Sequence, residues 1–189
     1  METTSATLTP DEKLLSDAWD AHLGAEFGMH DPDATVATMV GHPRVNHVPV
    51  MTGGEGREQV YDFYTRYFLH HLPPDIETVP VSRTIGQGRL VDEFVARFTH
   101  TIPMPWLLPG VPPTGKRAEV ALVVIVHFEG TRIVRENIYW DHASLLVQLG
   151  LIDPKGLPVV GAEGTRAVLD RSVPLNVLIE RAVARPKAP

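Results

Sequence analysis

Between Ile76 and Trp140 the chain offers four long β-forming runs, and the turns between them leave little room for any helix inside a sheet. Ile76 to Ile85 is the first run, and Pro80 within it predicts an edge strand or a bulge. Gly86-Gln87-Gly88 turns the chain into the second, Arg89 to Thr101. After the proline-rich loop Pro103 to Gly115, Lys116 to Glu129 forms a third run so continuously β-forming that it predicts a central strand buried on both faces. Gly130-Thr131 then turns into a fourth that ends in Tyr139-Trp140, with Asp141 and His142 at the junction to a short apolar helix. Strands that follow one another through tight turns pair antiparallel, so the core of the fold is a meander.

Helices come before the strands. Thr9-Pro10-Asp11-Glu12 is a capping box with proline at the first helical position, and the helix runs to about Phe27. Its inward face is mixed, with Leu15, Trp19, His22 and Glu26 at helical spacing. A short helix from Asp31-Pro32-Asp33 ends near Met39, broken by Gly41-His42-Pro43. Arg44 to Val50 reads as a strand with Val45, His47 and Pro49 on one side. Gly53-Gly54-Glu55-Gly56 reads as a turn, and a helix from about Glu55 to His70 carries Val60, Phe63, Tyr64, Tyr67 and Phe68 as a core-packing stripe. Helices followed by long antiparallel strands give an α+β fold. After Leu151 the chain becomes a proline- and glycine-rich linker with two short helices, about Glu163 to Asp170 and Leu175 to Ala184.

Composition narrows the function. The 189 residues fit one domain plus a tail, divided as 1–151 and 152–189. With no cysteine, thiol nucleophiles, disulfides and thiolate metal sites are excluded. A net charge of −6 without a basic cluster argues against nucleic acid, and no apolar run reaches the length of a membrane span. The N-terminus has no leader pattern, so a cytoplasmic protein is expected.

Strand alternation selects the candidate site. On the second long strand Asp92, Phe94, Ala96, Phe98 and His100 share a face, mixing aromatic walls with an acid and an imidazole as ligand pockets do. On the fourth, alternation leaves two sets open for the inward face, Glu136, Ile138 and Trp140 or Asn137, Tyr139 and Asp141. His47 joins from the first strand, and Trp19, His22 and Glu26 from the first helix.

The order of these features resembles the nuclear transport factor 2-like superfamily, and within it the SnoaL-like polyketide cyclase and ketosteroid isomerase-like group. The features are the helix with Trp19 and His22, the strand Val45-Asn46-His47-Val48-Pro49, the glycine-rich helix entry, Pro113-Thr114-Gly115-Lys116 and Gly130-Thr131-Arg132-Ile133-Val134, together spanning roughly Leu14 to Leu151. The resemblance implies a cone-shaped curved antiparallel sheet that encloses an apolar pocket with the N-terminal helices. It also implies a homodimer, a hydrophobic small-molecule ligand and no cofactor. Aligned with the cyclases or with the limonene epoxide hydrolases, their inward catalytic aspartate falls on Ile138 of this chain, so the resemblance implies that Glu136, Ile138 and Trp140 form the inward face. Phe94 and Ala96 fall where the hydrolases carry arginine and aspartate, and His47 where they bind water through asparagine.

Chemistry must therefore rest on other groups. Glu136 is the expected base or acid, with His47, His100 and Asp92 as further catalytic candidates. His22, Trp19, Phe94, Phe98, Trp106, Ile138 and Trp140 are the expected substrate-binding residues. The expected activity is that of an isomerase, cyclase or dehydratase acting on a hydrophobic carbonyl or polyketide-like molecule. The alternatives are a binding module without chemistry, and a metal site built from His22 and Glu26, four apart on a helix, with His47 or His100.

Overall fold

The computed structural model describes residues 8–184. Six strands form one curved, open sheet in the order β2-β1-β6-β5-β4-β3. These are β1 (Met39–His47), β2 (Thr52–Glu55), β3 (Glu77–Gly86), β4 (Arg89–Thr99), β5 (Arg117–Glu129) and β6 (Arg132–Trp140). Against the concave face lie α1 (Pro10–Leu23), α2 (Pro32–Ala37) and α3 (Gly56–Phe63). Helix α4 (His142–Gln148), helix α5 (Ala162–Leu169) and helix α6 (Val177–Val183) follow the sheet. The fold is α+β, with the long strands β3 to β6 antiparallel as expected. The pairing of β1 with β6 is parallel, so the sheet is mixed, because β1 enters from the helical layer and not through a hairpin.

Local signals set the helix starts. Thr9 accepts from the Glu12 amide while the Glu12 carboxylate takes the Thr9 amide at 2.8 Å, completing the capping box. Asp31 caps α2, and Asp141 caps α4 by accepting from the Ser144 amide at 3.0 Å. The helix ends depart from expectation. Helix α1 does not run on as α to Phe27 but widens into a π-helical segment, Gly24–Met29, and α3 does the same at Tyr64–Phe68. Such segments add a residue to the turn and re-aim the side chains they carry.

Three strand expectations are also corrected. Strand β1 begins at Met39 and carries Gly41-His42-Pro43 within it, because β1 and β6 lose register between Met39 and Arg44 and the bulge accommodates the breaker residues. Gly53-Gly54-Glu55 is not a free turn but most of β2, an edge strand that pairs with β1. Strand β5 is central but alternates: Ala118, Val120, Leu122, Val124 and Val126 are buried, and the opposite face is half-buried, covered at one end by α4 and α5. The expected irregularity at Pro80 appears as a register shift in β3, which is the other edge strand.

The core fills the space between the concave face and the helices. Leu90, Val126 and Ile133 from the sheet meet Val36, Val60, Phe63 and Tyr64 from the helices, all at most 3% exposed. The loop after β4 closes one end, with Met104, Trp106, Leu107 and Leu108 buried and Thr52 donating to the Trp106 carbonyl at 2.6 Å. In the tail, Thr165 of α5 bonds the backbone of Glu119 and Ala121 on the convex face, while α6 buries none of its side chains. Residues 185–189 of the expected tail lie outside the described residues. No helix among the described residues is long and apolar enough to cross a membrane.

Candidate functional site

Strand register decides which side chains meet. Val45, Glu136, Val126 and Leu90 form one row across β1, β6, β5 and β4, and His47, Ile138, Val124 and Asp92 form the next inward row. Glu136 faces inward only because β6 carries a bulge. Ile133 pairs with Phe128 and Arg135 with His127, so Val134 is an extra residue. Strict alternation from the buried Ile133 would send Glu136 outward; after the bulge Glu136, Ile138 and Trp140 all point in.

Opposite Glu136 stands His22 from the last turn of α1. The His22 Nε2 lies 3.2 Å from Glu136 Oε1 and 3.1 Å from Glu26 Oε1, and the Tyr64 hydroxyl is 3.4 Å away. Glu26 and Tyr64 both sit on the π-helical segments, which turn them toward the ring. On the other side, His22 Nδ1 is 2.6 Å from Thr38 Oγ1, and Thr38 donates its own hydrogen to the Thr35 carbonyl. Nδ1 must therefore be the donor, and Nε2 is the nitrogen left for the carboxylates. Trp19 stacks on the His22 ring at 5.4 Å and donates Nε1–H to Asp92 Oδ2 at 2.8 Å.

The cluster is buried, which sharpens its electrostatics. Burial alone would lower the His22 pKa, but the Glu136 and Glu26 carboxylates against Nε2 push it up to about 10. Burial raises the Glu136 pKa, with the Glu26 charge adding and His22 opposing. Burial and the same two carboxylates raise Tyr64 well above the usual phenol range. An Nε2–H can point well at one acceptor, and Glu26 is the one aligned. Glu136 Oε1 is left buried without a hydrogen-bond partner.

Glu136 borders an apolar cavity of about 50 Å³, whose lining also includes Trp19, Glu26, His47, Tyr64, Trp106 and Ile138. His47 occupies the cavity wall inside an aromatic cage. The rings of Phe63, Phe68, Trp106 and Trp140 lie 5.4 to 6.0 Å from it, and its Nδ1 has no hydrogen-bond partner. Burial lowers its pKa to about 4 against the opposing charge of Glu26, so the imidazole is neutral.

Other candidates are held elsewhere. Asp92 and His100 do not converge on Glu136, since β5 lies between β4 and β6 and two strand spacings amount to about 10 Å. The Asp92 carboxylate is occupied by Arg83 Nε at 3.1 Å, Arg83 Nη2 at 2.9 Å and Trp19 Nε1. His100 is fully buried past the end of β4, its Nδ1 against Thr114, and burial lowers its pKa. Phe98 and Trp140 are core residues outside the cavity lining, while Phe94 borders it. The metal grouping expected from His22 and Glu26 changes its third member. Among the described residues, the His22, Glu26 and Glu136 donor atoms lie within 4.8 Å of one another, and this set could hold a divalent cation; neither His47 nor His100 joins it. Tyr64 and Thr38 were missed by sequence reasoning. Tyr64 looked like one more aromatic of a helical core stripe, and no local pattern links Thr38 to His22.

Comparison with known proteins agrees with the fold. Residues 26–149 match the model of the SnoaL-like polyketide cyclase family. The chain belongs to that family. Solved structures share the fold of this SnoaL-like protein at low identity. A SnoaL-like protein of Jannaschia sp. CCS1 is 20% identical over 78% of this chain and 99% of its own, with a TM-score of 0.61. TerC, crystallised with polyporic acid, is 13% identical over 72% and 98%, with a TM-score of 0.53. SalBIII, an epoxide hydrolase/cyclase-like enzyme of pyran ring formation in the polyether salinomycin, is 14% identical over 69% and 92%, with a TM-score of 0.51. No curated protein matches by sequence.

Proposed function

We propose that this SnoaL-like protein is an acid/base enzyme that needs no cofactor and acts on a hydrophobic carbonyl or polyketide-like small molecule. The observation that carries the reading is Glu136, a buried carboxylate in the lining of an apolar cavity with its Oε1 lacking a hydrogen-bond partner. Desolvation raises the basicity of this carboxylate above that of an ordinary glutamate, against the pull of His22. Glu136 takes a proton from the carbon next to the carbonyl, the C–H pair moves into the enolate, and the negative charge develops on oxygen. His47, kept neutral by its cage, is the donor placed to meet that oxygen. Return of the proton to another carbon is isomerisation; attack of the enolate on a second carbonyl is cyclisation; loss of a β-hydroxyl is dehydration. His22 holds Glu136 in place and Trp19 and Trp106 flank the reacting group. The role of SalBIII in pyran ring formation lends weight to a ring-bearing substrate, and the polyporic acid crystallised with TerC to a small organic ligand.

The test is solvent deuterium exchange into a panel of hydrophobic ketones, followed by NMR. Glu136→Gln should slow exchange by roughly 10² to 10⁴-fold while binding persists. Exchange that survives in that variant removes Glu136 from the base role. Ile138, aligned with the relatives' aspartate, favours a second reading, a binding module without chemistry. In that case Glu136→Gln binds as the parent does, and mass spectrometry finds a copurified ligand without product.

A further inference from the structure

Beside the inner cavity lies an outer cleft of about 580 Å³, bordered by α1 with its π-helical extension and by β3 and β4. Leu23, Phe27, Thr78 and Phe94 border both spaces, so the two adjoin at these four residues. The two volumes do different work. A space of about 50 Å³ has room for a few water-sized groups and cannot enclose a ring system. The outer cleft falls within the usual range of small-molecule sites.

We infer that the ligand is a two-part molecule: a ring-bearing apolar body lies in the outer cleft, and a small polar head passes between Phe27 and Phe94 to reach Glu136. This rests on the proposed proton transfer for the chemistry of the head, but not for the binding of the body. The cleft has an apolar floor of Leu23, Phe27, Pro80 and Phe94, which suits flat rings. At its rim Asp20, Arg83 and Asp92 are joined to one another, with Arg83 Nη1 donating to Asp20 Oδ1 at 2.8 Å and to Ser16 Oγ at 2.9 Å. Arg83 is engaged by both carboxylates and leaves no guanidinium at this rim for an anionic ligand, so the body is neutral.

Gly24 is the residue that determines size. It borders the outer cleft, its backbone is ordinary right-handed helix at φ −62°, and a Cβ built there meets nothing within 4 Å. A large side chain at Gly24 therefore fits the backbone and takes the space of the ligand body. Gly28, on the same π-helical segment, also has nothing within 4 Å but borders neither space.

The experiment uses 2-acetylnaphthalene, two fused rings with a methyl ketone, as probe. Its binding is followed by chemical-shift changes in the isotope-labelled full chain, and its methyl exchange in deuterated water. The parent should bind it, Gly24→Trp should weaken binding at least tenfold, and Gly28→Trp should stay within twofold, both variants melting as cooperatively as the parent. Unchanged binding in Gly24→Trp, equal losses in the two variants, or no binding by the parent up to the solubility limit would overturn the inference. Binding that obeys this pattern without methyl exchange supports the cleft and removes Glu136 from its proposed role, so the two readings fail separately.

Discussion

His22 and His47 border the same small region of the molecule, both at most 4% exposed, yet their protonation is opposite. His22 is pushed up to about 10 and is an imidazolium; His47 is pushed down to about 4 and is neutral. Burial penalises the cation at both. What differs is the neighbourhood, since two carboxylates face His22 Nε2 while four aromatic rings surround His47. A buried histidine is thus an ion or a neutral hydrogen-bonding group according to what packs beside it, and here the charge of Glu26 acts on one of each.

Breaking the cage has the largest expected effect. Phe68 packs against His47, Trp106 and Phe27 at 5.0 to 6.0 Å, and Phe68→Ala should cost about 3–5 kcal/mol in denaturant unfolding. It should also wet His47 and bring its NMR-measured pKa back toward the ordinary 6.5. A return short of one unit would mean that the rings are not what keeps His47 neutral.

Acid should act on the same residue. Because the folded pKa of His47 is depressed from 6.5 to about 4, its contribution is complete above pH 6.5 and is lost as pH falls through 4. The difference corresponds to about 3 kcal/mol. His47→Phe should therefore lose that much less stability between pH 6.5 and 4 than the parent does. Parallel curves for the two proteins would contradict the assignment.

The alkaline side belongs to His22. Its raised pKa contributes stability that is complete below pH 6.5 and is lost as pH rises through about 10. Glu136→Gln removes the carboxylate that contributes most to the rise, so the His22 titration seen by NMR should move down by at least one unit, about 1.4 kcal/mol. An unmoved titration would show that Glu26 alone holds the proton. The smallest expected effect is that of Thr38→Val, which deletes the partner of Nδ1–H and should cost about 1 kcal/mol. It should change the ¹⁵N signature of the His22 ring while leaving that of His47 alone.

Much of the fold was legible because it rests on local chemistry. The Thr9 capping box, the Pro80 irregularity and the inward parity of Asp92, Phe94 and Phe98 follow from a few adjacent residues. Strand β2 was not legible, because Gly53-Gly54 has no strand propensity and becomes one only when β1 supplies a partner. In the site, the spacing of His22 and Glu26 announced a pair on one helical face. Asp92 and His100 shared the predicted face with other pocket residues, but sharing a face sets direction and not distance, and each found its own partners.

By itself, the sequence determined most of the elements, their order, and that several polar groups would be buried among aromatic walls. It did so because periodicity, caps and turns act over a few residues. The tertiary structure decided which of those groups meet. The extra residue at Val134 turns Glu136 inward, the π-helical segments swing Glu26 and Tyr64 onto His22, and the cage forms only where α3, the loop after β4 and β6 come together. A single inserted residue reverses the face of every strand position after it, and no short-range pattern reports that reversal.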